Sequence, residues 1–168
     1  MSPRLLRQLN PGALQAGREI VVANVTDGAA PKGTSIRIDK SERMLYALDS
    51  AGKPVAGFPV SIGGPLDPLP VGRMKITNEV VNPSFTYDPA LLKKAQPGSS
   101  KTEIAPGPNN PVGNIWLGLS KPHWGIHGTP NPERLGREET NGCVHMTNWD
   151  AKRLSTIAKA GFVVDVHE

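Results

Sequence analysis

Thr34-Ser35-Ile36-Arg37-Ile38-Asp39-Lys40-Ser41-Glu42-Arg43-Met44-Leu45-Tyr46-Ala47-Leu48 is the stretch on which the fold class turns. Ile36 and Ile38 alternate with polar residues, the pattern of a strand with one face buried. Met44 to Leu48 is a second β-favouring run, and Lys40-Ser41-Glu42 suits the hairpin turn between them. Asp49-Ser50-Ala51-Gly52-Lys53-Pro54 is a further loop, and Val55 to Ile62 carries a third strand that Gly63-Gly64-Pro65 ends. Three runs at this spacing predict an antiparallel meander.

Downstream the β pattern continues. Leu66 to Gly72 reads as a stiff loop, and Arg73 to Val80 alternates again. Residues 82–113 are Pro-rich and irregular, with a short helix expected over Pro89 to Ala95. A loop of that length in a compact domain is often functional. Ile115 to Leu119 and Trp124 to Ile126 read as buried strands. One helix of roughly 12 residues is expected near the end: Asn148 as its N-cap, Asp150 in its first turn, Ala151, Leu154, Ile157 and Ala158 on one face, Gly161 as its stop. Phe162 to Val166 closes as a strand.

Upstream, residues 1–32 differ. Leu5, Leu6 and Leu9 have loose helical spacing, Asn10-Pro11-Gly12 signals a turn, Glu19 to Val22 reads as a short strand, and Thr26 to Lys32 as a linker. This is too little for an independent core. The division is therefore 1–32, an N-terminal segment and linker, and 33–168, the main domain.

Composition agrees with a mainly β domain. The chain has 168 residues with 18 Gly and 17 Pro, which excludes a helical bundle or coiled coil. No apolar run reaches the roughly 20 residues of a membrane-spanning helix. Lys and Arg number 19 against 15 Asp and Glu, a mild excess of +4. The basic residues are scattered and aromatics are few, so no nucleic-acid surface is expected. The beginning, Met1-Ser2-Pro3-Arg4-Leu5-Leu6, lacks the apolar stretch of a signal peptide. The chain reads either as cytosolic or as a mature or excised piece of an exported protein.

The single cysteine lies in Thr140-Asn141-Gly142-Cys143-Val144-His145. A thiol is a strong nucleophile only as thiolate and needs a base or cation beside it. Gly142 allows close approach of a carbonyl to the backbone, and amide N–H groups there can stabilise an oxyanion. Buried inert cysteines sit in apolar runs, and these flanks are polar. Among His123, His127, His145 and His167, His127 ends an apolar strand in Trp124-Gly125-Ile126-His127-Gly128-Thr129, a sheet-rim place suited to a general base.

Ile126-His127-Gly128-Thr129 followed, sixteen positions after residue 127, by Thr140-x-Gly142-Cys143 resembles the signature of L,D-transpeptidase catalytic domains of the YkuD type. Ile36 to Ile62 is similar to that family's opening meander, and Pro68-Leu69-Pro70-Val71-Gly72 resembles its Thr-Pro-x-Gly turn. Asn110-Pro111-Val112-Gly113 and Thr147-Asn148-Trp149-Asp150-Ala151 also resemble family segments. The resemblance spans about residues 33 to 167. It implies a mainly β fold, a β-sandwich of mixed strands with one C-terminal helix and a long irregular loop.

The resemblance also implies chemistry. Cys143 would attack a peptidoglycan stem peptide after its third residue, release D-alanine, and pass the acyl group to an amine of another stem, a D-amino acid or a lipoprotein. His127 would be the base, and the Gly128 carbonyl would orient it. Gly142 and Cys143 N–H groups would form the oxyanion hole, with Thr140, Asn141 and His145 beside the substrate. No metal or organic cofactor is implied, the partners are stem peptides, a monomer is expected, and the place of work is the periplasm or cell wall.

Two positions depart from the family pattern: Asn141 stands where a His is usual, and His145 where an Arg or Asn is usual. Altered substrate choice or pH dependence is expected. Alternatives are a wall-peptide-binding pseudoenzyme and, more weakly, a zinc site from His123, His127, Cys143 and His145. Papain-like proteolysis needs Cys before His, the reverse of this order. Leu5 to Gly12 with Ala16 to Val22 also resembles half of a LysM-type wall-binding repeat.

Overall fold

The computed structural model describes residues 3–12, 14–22, 29–91, 98, 100–137 and 139–168. The opening meander forms as the alternation demands. β1 (Ser35–Asp39), β2 (Met44–Leu48) and β3 (Pro54–Pro59) are paired antiparallel, with Ile36 opposite Ala47 and Ile38 opposite Leu45. These four side chains are buried. One residue out of phase, Arg37 and Tyr46 face away from the core, with the guanidinium 5.3 Å from the ring centroid. The β1–β2 turn is closed by Asp39, whose carboxylate accepts from the Ser41 hydroxyl and the Glu42 N–H.

The remaining strands build outward from the chain's last one. β4 spans Gly72–Val81, β5 Phe85–Tyr87, β6 Thr102–Ile104, β7 Ile115–Leu119, β8 Gly125–His127, β9 Val144–His145 and β10 Val163–His167. β10 enters the middle of the sheet, parallel to β1 and antiparallel to β4. The first half of β4 pairs with β10 and the second with β7, with a shift in register between Ile76 and Asn78. The eight-stranded order is β3-β2-β1-β10-β4-β7-β8-β9.

The edges of this sheet meet. Past the end of β3, Ser61 donates its N–H to the His145 carbonyl (3.0 Å) and accepts from the His145 N–H (2.8 Å). Gly63 lies beside Thr140 in a parallel bridge, in which the Thr140 N–H donates to the Ile62 carbonyl (3.0 Å) and the Gly64 N–H to the Thr140 carbonyl (3.4 Å). The mixed-strand β architecture is therefore one curled sheet rather than two separate layers, because the long β4 belongs to both halves. Its interior holds Ile38, Leu45, Val60, Ile126, Val144 and Val164, all buried.

A helix seals one side. It spans Asn148–Ile157, ten residues, shorter than the reading to Gly161. The N-cap is Thr147 and not Asn148: its hydroxyl oxygen accepts from the Asp150 N–H (2.9 Å) and donates to the Asp150 carboxylate (2.8 Å). The helix ends at Ala158, which turns extended. Gly161, at φ 93, serves the following turn into β10. Ala151, Leu154 and Ile157 are buried on one face, as the spacing requires.

The earlier helix, Pro3–Leu9, and the turn after it are present. Glu19 to Val22 is not a strand; Ile20, Val21 and Val22 are exposed. Instead the Asn10 carboxamide bonds both the N–H and the carbonyl of Val21. The 82–113 segment is less irregular than its prolines suggest, since β5 and β6 pair antiparallel. Of the expected helix over Pro89 to Ala95, Pro89–Leu91 forms a 3-10 turn, and 92–97 lie outside the described residues.

Asn110 organises this segment. It is 2% exposed, and its amide nitrogen lies within hydrogen-bond distance of the carbonyls of Pro83, Ile104 and Ala105 (3.0–3.3 Å). Its oxygen accepts from the Val112 N–H. Asn110→Ala strands these groups, and a buried unpartnered polar group costs about 1–3 kcal/mol. Urea unfolding should show a loss of about 3 kcal/mol; a loss under about 0.5 kcal/mol, the scale of a surface change, would refute this.

Candidate functional site

The His and Cys segments are brought together by β8 and β9, which lie parallel with Ile126 opposite Val144 and His127 opposite His145. Residues in register on adjacent strands project to the same face. The His127 and His145 rings accordingly meet, centroids 4.4 Å apart and tilted by 50°. Cys143 directly precedes β9, and its thiol lies close to the Gly125 amide at the start of β8. Gly125 has no side chain to intervene; a Cβ there would strike the Trp116 ring.

His127 is held firmly. It is 3% exposed, and Trp116 stacks on it, ring centroids 5.3 Å apart at 19°. Its Nδ1 lies 2.7 Å from the Gly128 carbonyl oxygen. A carbonyl can only accept, so Nδ1 carries the proton and Nε2 of the neutral ring is a free acceptor. Sequence reading named Gly128 as the orienting group, and the distance fits that role. The stacking of Trp116 was not anticipated, since nothing in the sequence pairs it with His127 before the β7–β8 register is known.

The cysteine loop is shaped by small residues. The Thr140 hydroxyl donates to the Cys143 carbonyl, closing the turn over 140–143. Gly142 has φ +107, a left-handed backbone that side chains disfavour, and a Cβ there would press on the Trp124 ring. Gly63 packs against Gly142 from the other side, where a Cβ would also collide. Among the described residues, the amides of Gly142 and Cys143 enter none of the loop's backbone hydrogen bonds. Asn141 is exposed. The Cys143 thiol is partly buried, 3.6 Å from the His123 carbonyl.

Electrostatically the resting site is neutral. Burial pushes the Cys143 thiol up, against a smaller opposing effect of the Gly125 amide. Burial, aided by His145, holds His127 down to about 3, although its bond to Gly128 works the other way. Burial likewise lowers His145 to about 4. Neither imidazole is charged near neutrality, and the thiol has no cation to ionise it. His145 Nδ1 is buried and has no hydrogen-bond partner.

His123, named for the zinc alternative, lies in the β7–β8 turn at φ 66. Among the described residues no three His, Cys, Asp or Glu side chains converge on a common point that could hold a metal ion. No described helix is long and apolar enough to cross a membrane. A hollow of about 390 Å³ lined by Lys40, Arg43, Gly63, Gly64 and Glu139 adjoins the strand that bridges Thr140, but neither Cys143 nor His127 lines it. Trp149 is 49% exposed.

Comparison with known proteins places this geometry. Residues 33–166 match the sequence profile of the YkuD L,D-transpeptidase catalytic domain. The chain is 28% identical over 159 residues to the YkuD protein of Bacillus licheniformis, covering 94% of this chain and 79% of that one. It is 28% identical over 171 residues to the YkuD protein of Bacillus subtilis, covering 99% and 87%. In three dimensions it is similar to a crystal structure of an Enterococcus faecium L,D-transpeptidase, with TM-score 0.61 and 19% identity, over 81% of this chain and 50% of that one. The profile match over most of the chain makes this protein a member of the YkuD L,D-transpeptidase catalytic-domain family.

Proposed function

We propose that the chain is a cysteine-dependent L,D-transpeptidase that acts on peptidoglycan stem peptides. The observation that carries this is the His127 Nδ1–Gly128 bond, which leaves Nε2 as the accepting nitrogen of a ring on β8, the strand paired with the one that begins directly after Cys143. Family membership supports the substrate class.

In this reading Nε2 takes the Cys143 proton as sulfur attacks the carbonyl of the stem's third residue. The Gly142 and Cys143 N–H groups receive the developing oxyanion. The intermediate collapses to a thioester, and the imidazolium returns its proton to the departing D-alanine nitrogen. An acceptor amine then attacks the thioester and loses its proton to His127. Collapse forms the new amide, and the cysteine leaves as thiol. Because the resting thiol and imidazole are both neutral, proton transfer accompanies attack and no thiolate–imidazolium pair is stored beforehand. Such a substrate places the enzyme outside the cytoplasmic membrane, in the periplasm or wall.

Thr140 holds the nucleophile turn through its hydroxyl, and Asn141 is exposed for substrate contact. His145 presents its unpartnered Nδ1 beside the base. Replacing the family's usual cation or amide with His145 gives the base a neutral neighbour that titrates in acid.

Incubation with a disaccharide-tetrapeptide, followed by mass spectrometry, should show loss of terminal D-alanine and crosslinked or exchanged products. Cys143→Ala should abolish them, and His127→Ala should lower kcat/KM by about 10²–10⁴. Absence of both turnover and an acyl adduct on folded protein would move the assignment to a wall-peptide-binding protein without catalysis.

The acid limb of kcat/KM should lie near pH 3–4, well below the ordinary histidine value, because His127 must be neutral to act. Stability follows a different window. The unfolded histidines bind protons below about 6.5 while the folded ones resist until about 3 and 4, so stability should fall as pH drops through that interval. A melting temperature unchanged between pH 7 and 4 would contradict this. His145→Arg sets a permanent cation beside the site and should move the onset of Cys143 alkylation to lower pH; an unaltered onset would make His145 a spectator.

A further inference from the structure

Asn148 opens the C-terminal helix, where its residue type suggests a cap, yet Thr147 does the capping. Its carboxamide is engaged elsewhere. Oδ1 accepts from the Asn114 N–H (3.1 Å), and the amide nitrogen donates to the Pro108 carbonyl (3.2 Å). The same Oδ1 lies directly over two glycines: a Cβ on either Gly113 or Gly128 would collide with it. A Cβ on Gly113 would also strike the Gly128 backbone. Two backbone segments and one side-chain oxygen are thus stacked where only glycines fit. Gly113 is additionally at φ 64, and its N–H is bonded to the Asn110 carbonyl.

Gly128 is the residue whose carbonyl accepts the hydrogen bond from His127 Nδ1. Its own N–H donates to the Ile115 carbonyl (3.2 Å), which fixes one side of the residue. The Asn148 oxygen packs on the other. We propose that Asn148 is a positioning residue for the base: its carboxamide, wedged between Gly113 and Gly128, holds the Gly128 carbonyl in the orientation that aims His127 Nε2 at the thiol. The inference rests on the reading of His127 as the base for Cys143. Asn148 never touches the reacting atoms. It acts through one peptide, and a displacement of about 1 Å in a catalytic group can cost about 10²-fold in rate.

The chain has one cysteine, so alkylation by iodoacetamide reports Cys143 without ambiguity. The test is the rate of alkylation against pH for the full chain as wild type, His127→Ala, Asn148→Ala, Asn148→Asp and Gly128→Ala, with thermal unfolding followed in parallel. Asn148→Ala should slow alkylation at neutral pH about ten-fold or more and change its pH profile toward that of His127→Ala. Asn148→Asp keeps the accepting oxygen and should recover most of the rate. In Gly128→Ala the added methyl should evict the carboxamide and copy Asn148→Ala, and the double variant should be no slower than either single one.

A purely structural Asn148 would lower the melting temperature and leave the profile alone; that result in folded Asn148→Ala overturns the inference. If Asn148→Ala does not fold, a wild-type profile in Gly128→Ala overturns it equally. If His127→Ala alkylates like wild type, the base assignment falls and the inference with it. A His127-dependent rate indifferent to Asn148 removes this inference only.

Discussion

The parallel pairing of β8 with β9 is the constraint on which the site depends. His127 and the Cys143 loop, sixteen positions apart in sequence, are brought to neighbouring strands because Ile126 lies opposite Val144 and His127 opposite His145. A short strand pair of this kind is weak by itself. Here it is clamped on its open edge by the two-way bond between Ser61 and His145, which closes the curled sheet. Ile126 and Val144 are buried in the core, so slipping the register by one residue would turn them outward and carry His127 away from Cys143. Core burial and the His127–His145 contact therefore depend on the same register.

Burial has an electrostatic consequence. The low-dielectric pocket that makes His127 rigid also keeps it, His145 and Cys143 uncharged. A site of this kind relies on aim: one tautomer, one ring orientation and free amides at Gly142 and Cys143. Aim is supplied by packing. Trp116 stacks against the imidazole, the Gly128 carbonyl accepts its Nδ1–H, and the Asn148 oxygen lies against both Gly113 and Gly128. The glycines matter as places where backbone must approach backbone, which explains why several cluster around His127 and Cys143.

Much of this was legible in the sequence. The alternation in Ile36 to Leu48 foretold the meander, and the apolar face of Ala151, Leu154 and Ile157 foretold the helix. The His-Gly-Thr and Thr-x-Gly-Cys segments pointed to the residues that share the site. The misreadings have local causes. Asn148 and Thr147 are both good caps, and only the Thr147-x-x-Asp150 spacing, a reciprocal capping arrangement, distinguished them. Val21 and its neighbours have strand-like composition, but in the described residues Asn10 engages their backbone and no strand partner does. The prolines of 82–113 hid a hairpin whose two strands are only three residues each.

What the sequence determined alone was therefore what has a strong local period or a local motif: the strands of the opening meander, the buried face of the C-terminal helix, and the His and Cys segments that resemble the family signature. Those follow from side-chain alternation and backbone preference within a few residues. What only the tertiary structure decided was adjacency. The insertion of β10 between β1 and β4, the closure through Ser61, the His127–His145 contact and the seat of Asn148 between two glycines all join residues far apart along the chain. No local pattern encodes such contacts, because each is selected by the burial of the whole core and by the need to pair every buried backbone group.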